Sequence, residues 1–382
     1  MLTPETPAQL AEAMRAASSA KATVSLGGAS SKRLMAGPIE PAAIKISTCA
    51  MRRVREYEPH DLTISVEAGL LWHDLAKVLA QNRQMVPLDP PWFDNATVGG
   101  VIASNSSGPR RRLYGTARDL VIGMHFVTLE GKLVQSGGMV VKNVAGLDMA
   151  KLMIGSFGTL AAIAVVNFKV QPAPEEERSF LLSFPDLAAA MEARNRILAS
   201  PLQPAAIDLL NPGASATLGK RAWMLAVRVG GNSQVVNRYE RELSQHGEGV
   251  ALEAARHKTL WQYIREFTPR YLAEHADGAV VRASCTLKEL EAVIGAFDGP
   301  AVARAGSGVC YGHFEECEAA ARWLTAFTGR GGKGVIEYSP EACKNAVDLW
   351  PAPGSDVEIM RRVKQLFDPS NLMNRGRLYR RI

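Results

Sequence analysis

Three loops of glycine and small residues are the segments of this sequence whose composition best suits ligand binding. They are residues 27–31 (GGASS), 96–108 (ATVGGVIASNSSG) and 155–159 (GSFGT). Glycine has no Cβ, so a glycine-rich backbone can approach a ligand closely. Successive backbone N–H groups in such a loop bind anions. We therefore expect the three loops to hold the pyrophosphate and rings of a dinucleotide. For loop 27–31 taken alone, an ordinary turn without a ligand is the alternative.

Other nucleotide, metal and redox motifs are missing. No G-x-G-x-x-G follows the first predicted strand, and no G-x-x-x-x-G-K-[ST] occurs, which excludes the usual Rossmann and P-loop fingerprints. The five cysteines are scattered without a C-x-x-C pair, so no metal site or iron–sulfur cluster is predicted. Their odd number and wide spacing favour free thiols in a reducing cytoplasm.

Secondary-structure patterns place two of the three loops beside strands. Residues 21–26 and 161–170 are typical of strands, and residues 120–129 with 133–135 form a predicted hairpin. Residues 71–82 have helical periodicity, and prolines then stop helix formation before the second loop. A proline- and glutamate-rich linker, residues 172–177, indicates a domain boundary, after which alternating strand and helix patterns favour an antiparallel sheet covered by helices.

Composition limits the function classes. The chain has 382 residues, 47% of them hydrophobic and 21% charged, with a formal net charge of +6, which is typical of a soluble globular protein. The only tight basic run, residues 110–112, lacks interleaved aromatic residues, so no nucleic-acid partner is predicted. That run is a candidate partner surface or anion contact, with a solvated loop as the alternative. Neither a signal peptide nor an apolar stretch of ~20 residues occurs, which favours the cytoplasm.

The order of the motifs resembles the vanillyl-alcohol-oxidase (PCMH) type of FAD-binding family. The shared features are the strand followed by Gly-Gly-x-Ser-Ser, the Pro-x-x-Pro and Ala-Thr-Val-Gly-Gly segments, and Ile-Gly-Ser-x-Gly-Thr-Leu. The closing Phe-Asp-Pro and Asn-x-Gly-Arg are similar to the 2-hydroxy-acid-oxidising branch. Residues 107–111 and 142–146 are most similar to FAD-binding subunits of bacterial glycolate oxidases.

This resemblance implies an α+β protein with three parts. Residues 1–173 would form a PCMH-type FAD-binding domain of two α/β subdomains. Residues 174–355 would form a smaller antiparallel α+β cap domain on the substrate side, and residues 356–382 would return to the flavin. The implied FAD-binding positions are Leu26, Gly27, Gly28, Ala29, Ser30, Ser31, Pro87, Pro90, Pro91, Thr97, Val98, Gly99, Gly100, Ala103, Asn105, Gly108, Gly158, Thr159, Ile163 and Asn374.

Departures from the family pattern affect both cofactor attachment and catalysis. The first loop lacks the histidine that many relatives use for covalent attachment, so we expect dissociable FAD. Arg375 replaces the proline that usually follows Asn374. The His-Phe-Gly-Asp-Gly-Asn segment and neighbouring histidine pair of catalytic relatives are missing, and no metal is predicted. Arg282, Arg304 and Arg377 are candidate partners for a substrate carboxylate, and His313 is a candidate base; a structural role is the alternative for each.

Two functions remain open at this point. The first is the FAD-binding subunit of a glycolate or D-lactate oxidising complex, which converts a small 2-hydroxy acid to a 2-oxo acid. The second is a non-catalytic electron-relay or assembly subunit, with the chemistry in a homologous partner. Both imply a homologous FAD-linked catalytic subunit and an iron–sulfur subunit, with a quinone-linked partner as the alternative to the latter, because this chain has no cysteine cluster. Contact with a membrane would then be peripheral and through the complex.

Overall fold

A computed structural model describes residues 1–140 and 148–379. The segment 142–146, part of the sequence resemblance, lies outside the described residues. Over the described residues the chain forms two compact units. The first comprises residues 1–107, 115–173 and 352–379, and the second comprises residues 108–114 and 174–351. The first unit is thus built from three stretches of chain.

Seventeen strands are present in the described residues. They are β1 Val24–Gly27, β2 Ile44–Ser47, β3 Val54–Glu58, β4 Thr63–Glu67, β5 Gln84–Met85, β6 Val121–Val127, β7 Leu133–Gly137, β8 Ala162–Lys169, β9 Gln171–Pro172, β10 Glu176–Phe184, β11 Ala206–Leu210, β12 Trp223–Gly231, β13 Gly249–Leu252, β14 Ala279–Ser284, β15 Ala301–Arg304, β16 Val309–Phe314 and β17 Lys333–Tyr338.

Fifteen α-helices accompany these strands in the same ranges, together with 3₁₀ turns at Thr48–Ala50 and Ala216–Leu218. The helices are α1 Pro7–Ser19, α2 Trp72–Ala80, α3 Val98–Ala103, α4 Arg111–Tyr114, α5 Ala117–Leu120, α6 Met149–Met153, α7 Leu187–Ala199, α8 Pro212–Ser215, α9 Ser233–Leu243, α10 Ala254–Arg265, α11 Phe267–Glu274, α12 Leu290–Gly295, α13 Cys317–Gly329, α14 Glu341–Ala346 and α15 Ser355–Phe367.

The first unit contains a five-stranded antiparallel sheet in the order β3-β4-β8-β6-β7 and a separate parallel pair, β1 and β2. One core lies between the sheet and helices α2, α3 and α6, and a second joins α1 to the parallel pair and to Leu372 and Met373. Residues 372–374 therefore belong to the hydrophobic framework of the first unit, beside the first glycine loop.

The second unit is an eight-stranded antiparallel sheet in the order β13-β10-β12-β11-β15-β16-β14-β17. Both faces of this sheet are covered at strand β11. Ile207 and Leu209 pack in one hydrophobic core, and Ala206 and Leu210 pack in another. Helices α7, α9, α12 and α13 cover the first face, and α10 with α11 covers part of the second. Alternating side chains thus bury both faces of this strand.

The α+β class, the antiparallel sheets and the hairpin of β6 and β7 confirm the sequence predictions. The predicted linker 172–177 was wrong in its details, because β9 reaches residue 172 and β10 already begins at Glu176. The expectation of only free thiols was also wrong. Cys317 and Cys343 form a disulfide with a Cα–Cα distance of 6.2 Å, whereas Cys49, Cys285 and Cys310 are free. Folding brings these distant cysteines together, so their spacing in sequence gave no signal.

No helix within residues 1–140 and 148–379 combines the length and hydropathy that a membrane span requires.

Candidate functional site

A cavity of about 360 Å³ lies in the first unit, where the first glycine loop, the start of α3, the turn at 157–158 and the C-terminal segment meet. This volume falls in the range of small-molecule sites. Many of the predicted FAD-binding positions line it: Leu26, Gly27, Gly28, Ser30, Ser31, Thr97, Gly99, Gly100, Ala103, Gly158, Ile163 and Asn374.

The remaining predicted positions lie elsewhere. Val98 and Thr159 are buried beside the cavity wall, and Gly108 belongs to the second unit. The others are in the first unit but do not line this cavity: Ala29, Pro87, Pro90, Pro91 and Asn105.

The first glycine loop presents a series of backbone donors. No acceptor within the described part of the chain receives the N–H groups of residues 28–31. Ser30 has φ = 56°, a left-handed conformation, and left-handed residues occur in the backbone nests that gather N–H groups around an anion. Gly28 is required by close packing, because a Cβ there would lie 2.2 Å from Oγ1 of Thr97. The loop is therefore suited to bind a pyrophosphate.

The second glycine loop differs from the sequence expectation. Thr97 is the N-cap of α3, and the amides of Val98, Gly99 and Gly100 donate to Leu70 O (2.8 Å), Ala68 O (2.7 Å) and Thr97 Oγ1 (3.2 Å). The expectation that these amides face an anion is wrong, because they are already used within the protein. The small residues instead permit close packing: a Cβ on Gly99 would lie 2.8 Å from the Cβ of Ala68.

Asn374 connects the C-terminal segment to two other walls of the cavity. Its Oδ1 accepts a hydrogen bond from Leu26 N (2.6 Å), and its Nδ2 donates to Leu26 O (3.0 Å) and Phe157 O (2.7 Å). Its own backbone N–H donates to Val24 O (2.9 Å). The two polar groups of this side chain thus make three hydrogen bonds with the backbone, so Asn374 shapes the cavity through its neighbours.

The charge of the lining suits an anionic ligand. Five basic side chains line the cavity with a single carboxylate, that of Glu40. The basic residues are Lys32, Arg33, Lys45, Arg375 and Arg377. Glu40 lies 3.3 Å from the guanidinium of Arg375. The remaining positive charge would favour binding of a diphosphate.

The candidate catalytic cations have structural partners. Arg282 lies 2.8 Å from Glu337, and Arg304 pairs with buried Asp208. Arg377 donates to the carbonyls of Met35 (2.6 Å) and Gly37 (2.7 Å), so it stabilises the loop that follows the first glycine segment. These contacts favour the structural alternative for each arginine.

His313 is buried in β16 of the second unit. Its Nδ1 lies 3.1 Å from Pro300 O and its Nε2 lies 2.9 Å from Thr268 Oγ1. Burial lowers the pKa of His313 to about 3, because a low-dielectric environment disfavours the charged imidazolium. A histidine that holds its proton so weakly is poorly suited to act as a general base near neutral pH.

The basic run at 110–112 has a role that sequence analysis missed. Arg110 donates to both carboxylate oxygens of Glu177 (3.0 and 3.2 Å), and Arg228 binds the same carboxylate from the other side (2.9 and 3.0 Å). Arg112 donates to the carbonyl of Pro204 (2.9 Å). Residues 108–114 are thus anchored within the second unit. Glu177, at the acidic end of the predicted linker 172–177, was the available sequence signal for a partner of Arg110.

Comparison with known proteins agrees with this architecture. Residues 1–137 match the FAD binding domain model, and residues 173–337 with 352–378 match the model of the C-terminal domain of FAD linked oxidases. The structure of p-cresol methylhydroxylase with substrate bound has a TM-score of 0.75 at 15% identity, over 98% of this chain and 87% of that one. This similarity shows the shared fold.

Two curated relatives are glycolate oxidase subunits. GlcE of Escherichia coli (strain K12) is 33% identical over 200 residues, which are 52% of this chain and 55% of the relative. GlcD of Bacillus subtilis (strain 168) is 32% identical over 161 residues, which are 42% of this chain and 34% of the relative. The matched region therefore spans about half of the first relative and about a third of the second.

The cavity fits the cofactor that the two domain models name. The amides of residues 28–31, which have no acceptor among the described residues, and a basic lining are suited to a pyrophosphate. The turn at 157–158 and Ile163 would supply apolar and backbone surface for the rings. With its two matched domains and its PCMH-like fold, the chain belongs to the FAD-linked oxidases, a family of oxidoreductases with FAD as cofactor.

Proposed function

We propose that this chain is the FAD-binding subunit of a complex that oxidises glycolate, or the related 2-hydroxy acid D-lactate, to the 2-oxo acid. The observation that supports this most directly is the cavity of the first unit, where the unpaired amides of residues 28–31 meet a basic lining. Similarity to GlcE supports the substrate class. Bound FAD would supply the two-electron oxidant, while the protein positions and shields it.

The residues that hold FAD would act in three groups. The amides of residues 28–31 would bind the pyrophosphate, with Arg33 and Lys45 adding positive charge. Thr97, Gly99 and Gly100 at the start of α3 would form part of the wall beside the ligand. Asn374 would keep the C-terminal segment and the turn at Phe157 in register with β1.

FAD would be held without a covalent bond. The first loop reads Gly27-Gly28-Ala29-Ser30-Ser31, so it offers no histidine for attachment. The partners would be a homologous FAD-linked subunit and an iron–sulfur subunit, to which electrons pass. The complex would be cytoplasmic, with any membrane contact made through the other subunits.

A second function is favoured by the state of the candidate catalytic residues. Arg282, Arg304 and His313 all have structural partners, and the pKa of His313 is about 3. Within residues 1–140 and 148–379, no group of three or more His, Cys, Asp or Glu side chains could hold a metal. The chain would then relay electrons or support assembly, with substrate oxidation in the homologous partner.

An anaerobic absorption experiment separates the two functions. The isolated protein, loaded with FAD, is mixed with glycolate or D-lactate while the flavin band near ~450 nm is followed. Bleaching in the isolated chain supports a catalytic subunit. A band that stays in the isolated chain but bleaches in the assembled complex supports the relay function. Failure to bind FAD at all would contradict both.

A further inference from the structure

A buried ion pair lies at the end of α15, away from the cavity lining. Nζ of Lys364 is 2.7 Å from Oδ2 of Asp368, and the two residues are 5% and 1% exposed. The same ammonium donates to the carbonyls of Thr159 (2.8 Å) and Met373 (3.0 Å). All three donor positions of the lysine are therefore filled, one by a carboxylate and two by backbone.

Asp368 accepts hydrogen bonds from the backbone of the residues that follow α15. Its Oδ1 accepts from Leu372 N (2.9 Å), and its Oδ2 accepts from Met373 N (2.8 Å). The carboxylate thus bridges the ammonium of Lys364 and two amides on the far side of the turn. This arrangement fixes residues 368–373 as one hydrogen-bonded turn.

After this turn, residues 372–374 lie along the edge of β1. Val24 N donates to Leu372 O (2.7 Å), and Asn374 N donates to Val24 O (2.9 Å), so residues 372–374 lie parallel to β1. Asn374 then pairs with Leu26, immediately before the first glycine loop. A continuous series of contacts therefore runs from the ion pair to that loop.

The ion pair also contacts the residue that follows the turn at 157–158, a turn that lines the cavity. Thr159, whose carbonyl accepts from Lys364, follows the turn at 157–158 directly, and Phe157 O accepts from the side chain of Asn374. Lys364 and Asn374 therefore bind the two ends of residues 157–159. Together they tie this turn to α15 and to β1, while Phe157 N also donates to Ala103 O in α3 (2.9 Å).

We propose that Lys364 and Asp368 are positioning residues for FAD, which set the spacing between the first glycine loop and the turn at 157–158 by placing Asn374. This inference rests on the proposed FAD site in the same unit. A buried ion pair is often replaceable by apolar residues without loss of stability. This pair also makes hydrogen bonds to the backbone of residues 159, 372 and 373, which an apolar pair could not make. These bonds hold the three residues in position.

A double-mutant cycle on FAD affinity tests the proposal. We expect Lys364→Met and Asn374→Ala each to weaken FAD binding about tenfold, and the double variant to weaken it about tenfold as well, because both changes release the same segment. Affinity is measured by titrating the apoprotein with FAD and following flavin fluorescence. Asp368→Asn should weaken binding in the same direction as Lys364→Met.

Leu79→Ala is the matched control for lost stability. Leu79 is 1% exposed in a core of the same unit, and it lines neither the cavity nor the ion pair. We expect it to lower the melting temperature while leaving FAD affinity within about twofold of wild type.

Three outcomes would overturn the positioning role. They are independent, multiplied losses in the double variant, unchanged affinity in Lys364→Met, and an equal affinity loss in Leu79→Ala. If the wild-type apoprotein itself does not bind FAD, the proposed function fails first.

Discussion

The side-chain amide of Asn374 pairs with both backbone polar groups of Leu26, a residue 348 positions earlier in the chain. The side-chain amide pairs with Leu26 as a backbone amide of a neighbouring strand would, since it donates to the carbonyl and accepts from the N–H of this one residue. We expect Asn374→Ala to lose these contacts and to weaken FAD binding about tenfold, which corresponds to about 1.4 kcal/mol. Titration of the apoprotein with FAD measures this.

Asn371→Gly provides the control for that variant. Asn371 lies in the same segment with φ = 48° and is exposed, and glycine adopts this conformation easily. FAD affinity equal to wild type is expected. Equal losses in both variants would mean that general loosening of the segment, and not the pairing with Leu26, is responsible.

Gly28 should tolerate no side chain. A Cβ at this position would lie 2.2 Å from Thr97 Oγ1 and 3.1 Å from two of its carbons. Since Thr97 also caps α3, Gly28→Val must displace both the loop and the helix start, and we expect FAD binding to be lost. Gly138→Ala is the control, because a Cβ there would meet no atom within 4 Å among the described residues beyond its two chain neighbours. Normal FAD content in purified Gly28→Val would contradict the placement of this loop.

The flavin should be released on denaturation. No histidine occurs in the first glycine loop, so acid precipitation is expected to leave the flavin in the supernatant and none in the washed pellet. The absorption spectra of the two fractions measure this directly. Flavin retained in the pellet would show a covalent attachment at another residue.

Acid should destabilise the second unit through His313. Its pKa is about 3 in the folded protein and about 6.5 in an unfolded chain. Between these values the unfolded state binds more protons, so the free energy of unfolding falls as pH falls from about 6.5 to about 3. The loss is on the order of 2 kcal/mol at about pH 5.

Urea unfolding of wild type and His313→Gln at about pH 7 and about pH 5 checks this effect. The variant lacks the titrating group, so the stability difference between the two proteins should shrink at the lower pH. Parallel pH profiles would mean that other groups cause the acid sensitivity.

Three of the five cysteines should react with a thiol reagent in denatured, unreduced protein. These are Cys49, Cys285 and Cys310, while Cys317 and Cys343 are bonded. Titration before and after a reducing agent should therefore show two additional thiols. Five reactive thiols before reduction would mean that the isolated protein does not contain this disulfide.

Sequence patterns predicted much of this fold because many elements are local. The hairpin of β6 and β7 follows directly from strand patterns and turn residues. Helix α10 was not predicted from the sequence. Its apolar residues pack against the sheet of the second unit, a contact that the sequence does not show. Strand β13 is short and mostly exposed, so it shows no burial pattern.

The site was predicted less completely, because its geometry depends on distant contacts. The pattern Gly-Gly-x-Ser-Ser coincides with a loop whose amides at 28–31 have no acceptor among the described residues, and its binding of FAD stays a prediction. It could not show that Gly99 and Gly100 would use their amides within the protein. Nor could it show the link from Lys364 to Thr159, which joins residues 205 positions apart. The spacing of Lys364 and Asp368 by four residues was the available signal for the ion pair.

The threading of the first unit bears on how the protein is made. Residues 174–351, which make up most of the second unit, are synthesised before residues 372–374. A nascent chain can therefore complete the eight-stranded sheet while the pairing of β1 with Asn374 is still missing. Incorporation of FAD is then expected to be a late event in biogenesis, after residue 374 has emerged from the ribosome. Ribosome-bound chains halted before that point would have an ordered second unit and no retained flavin.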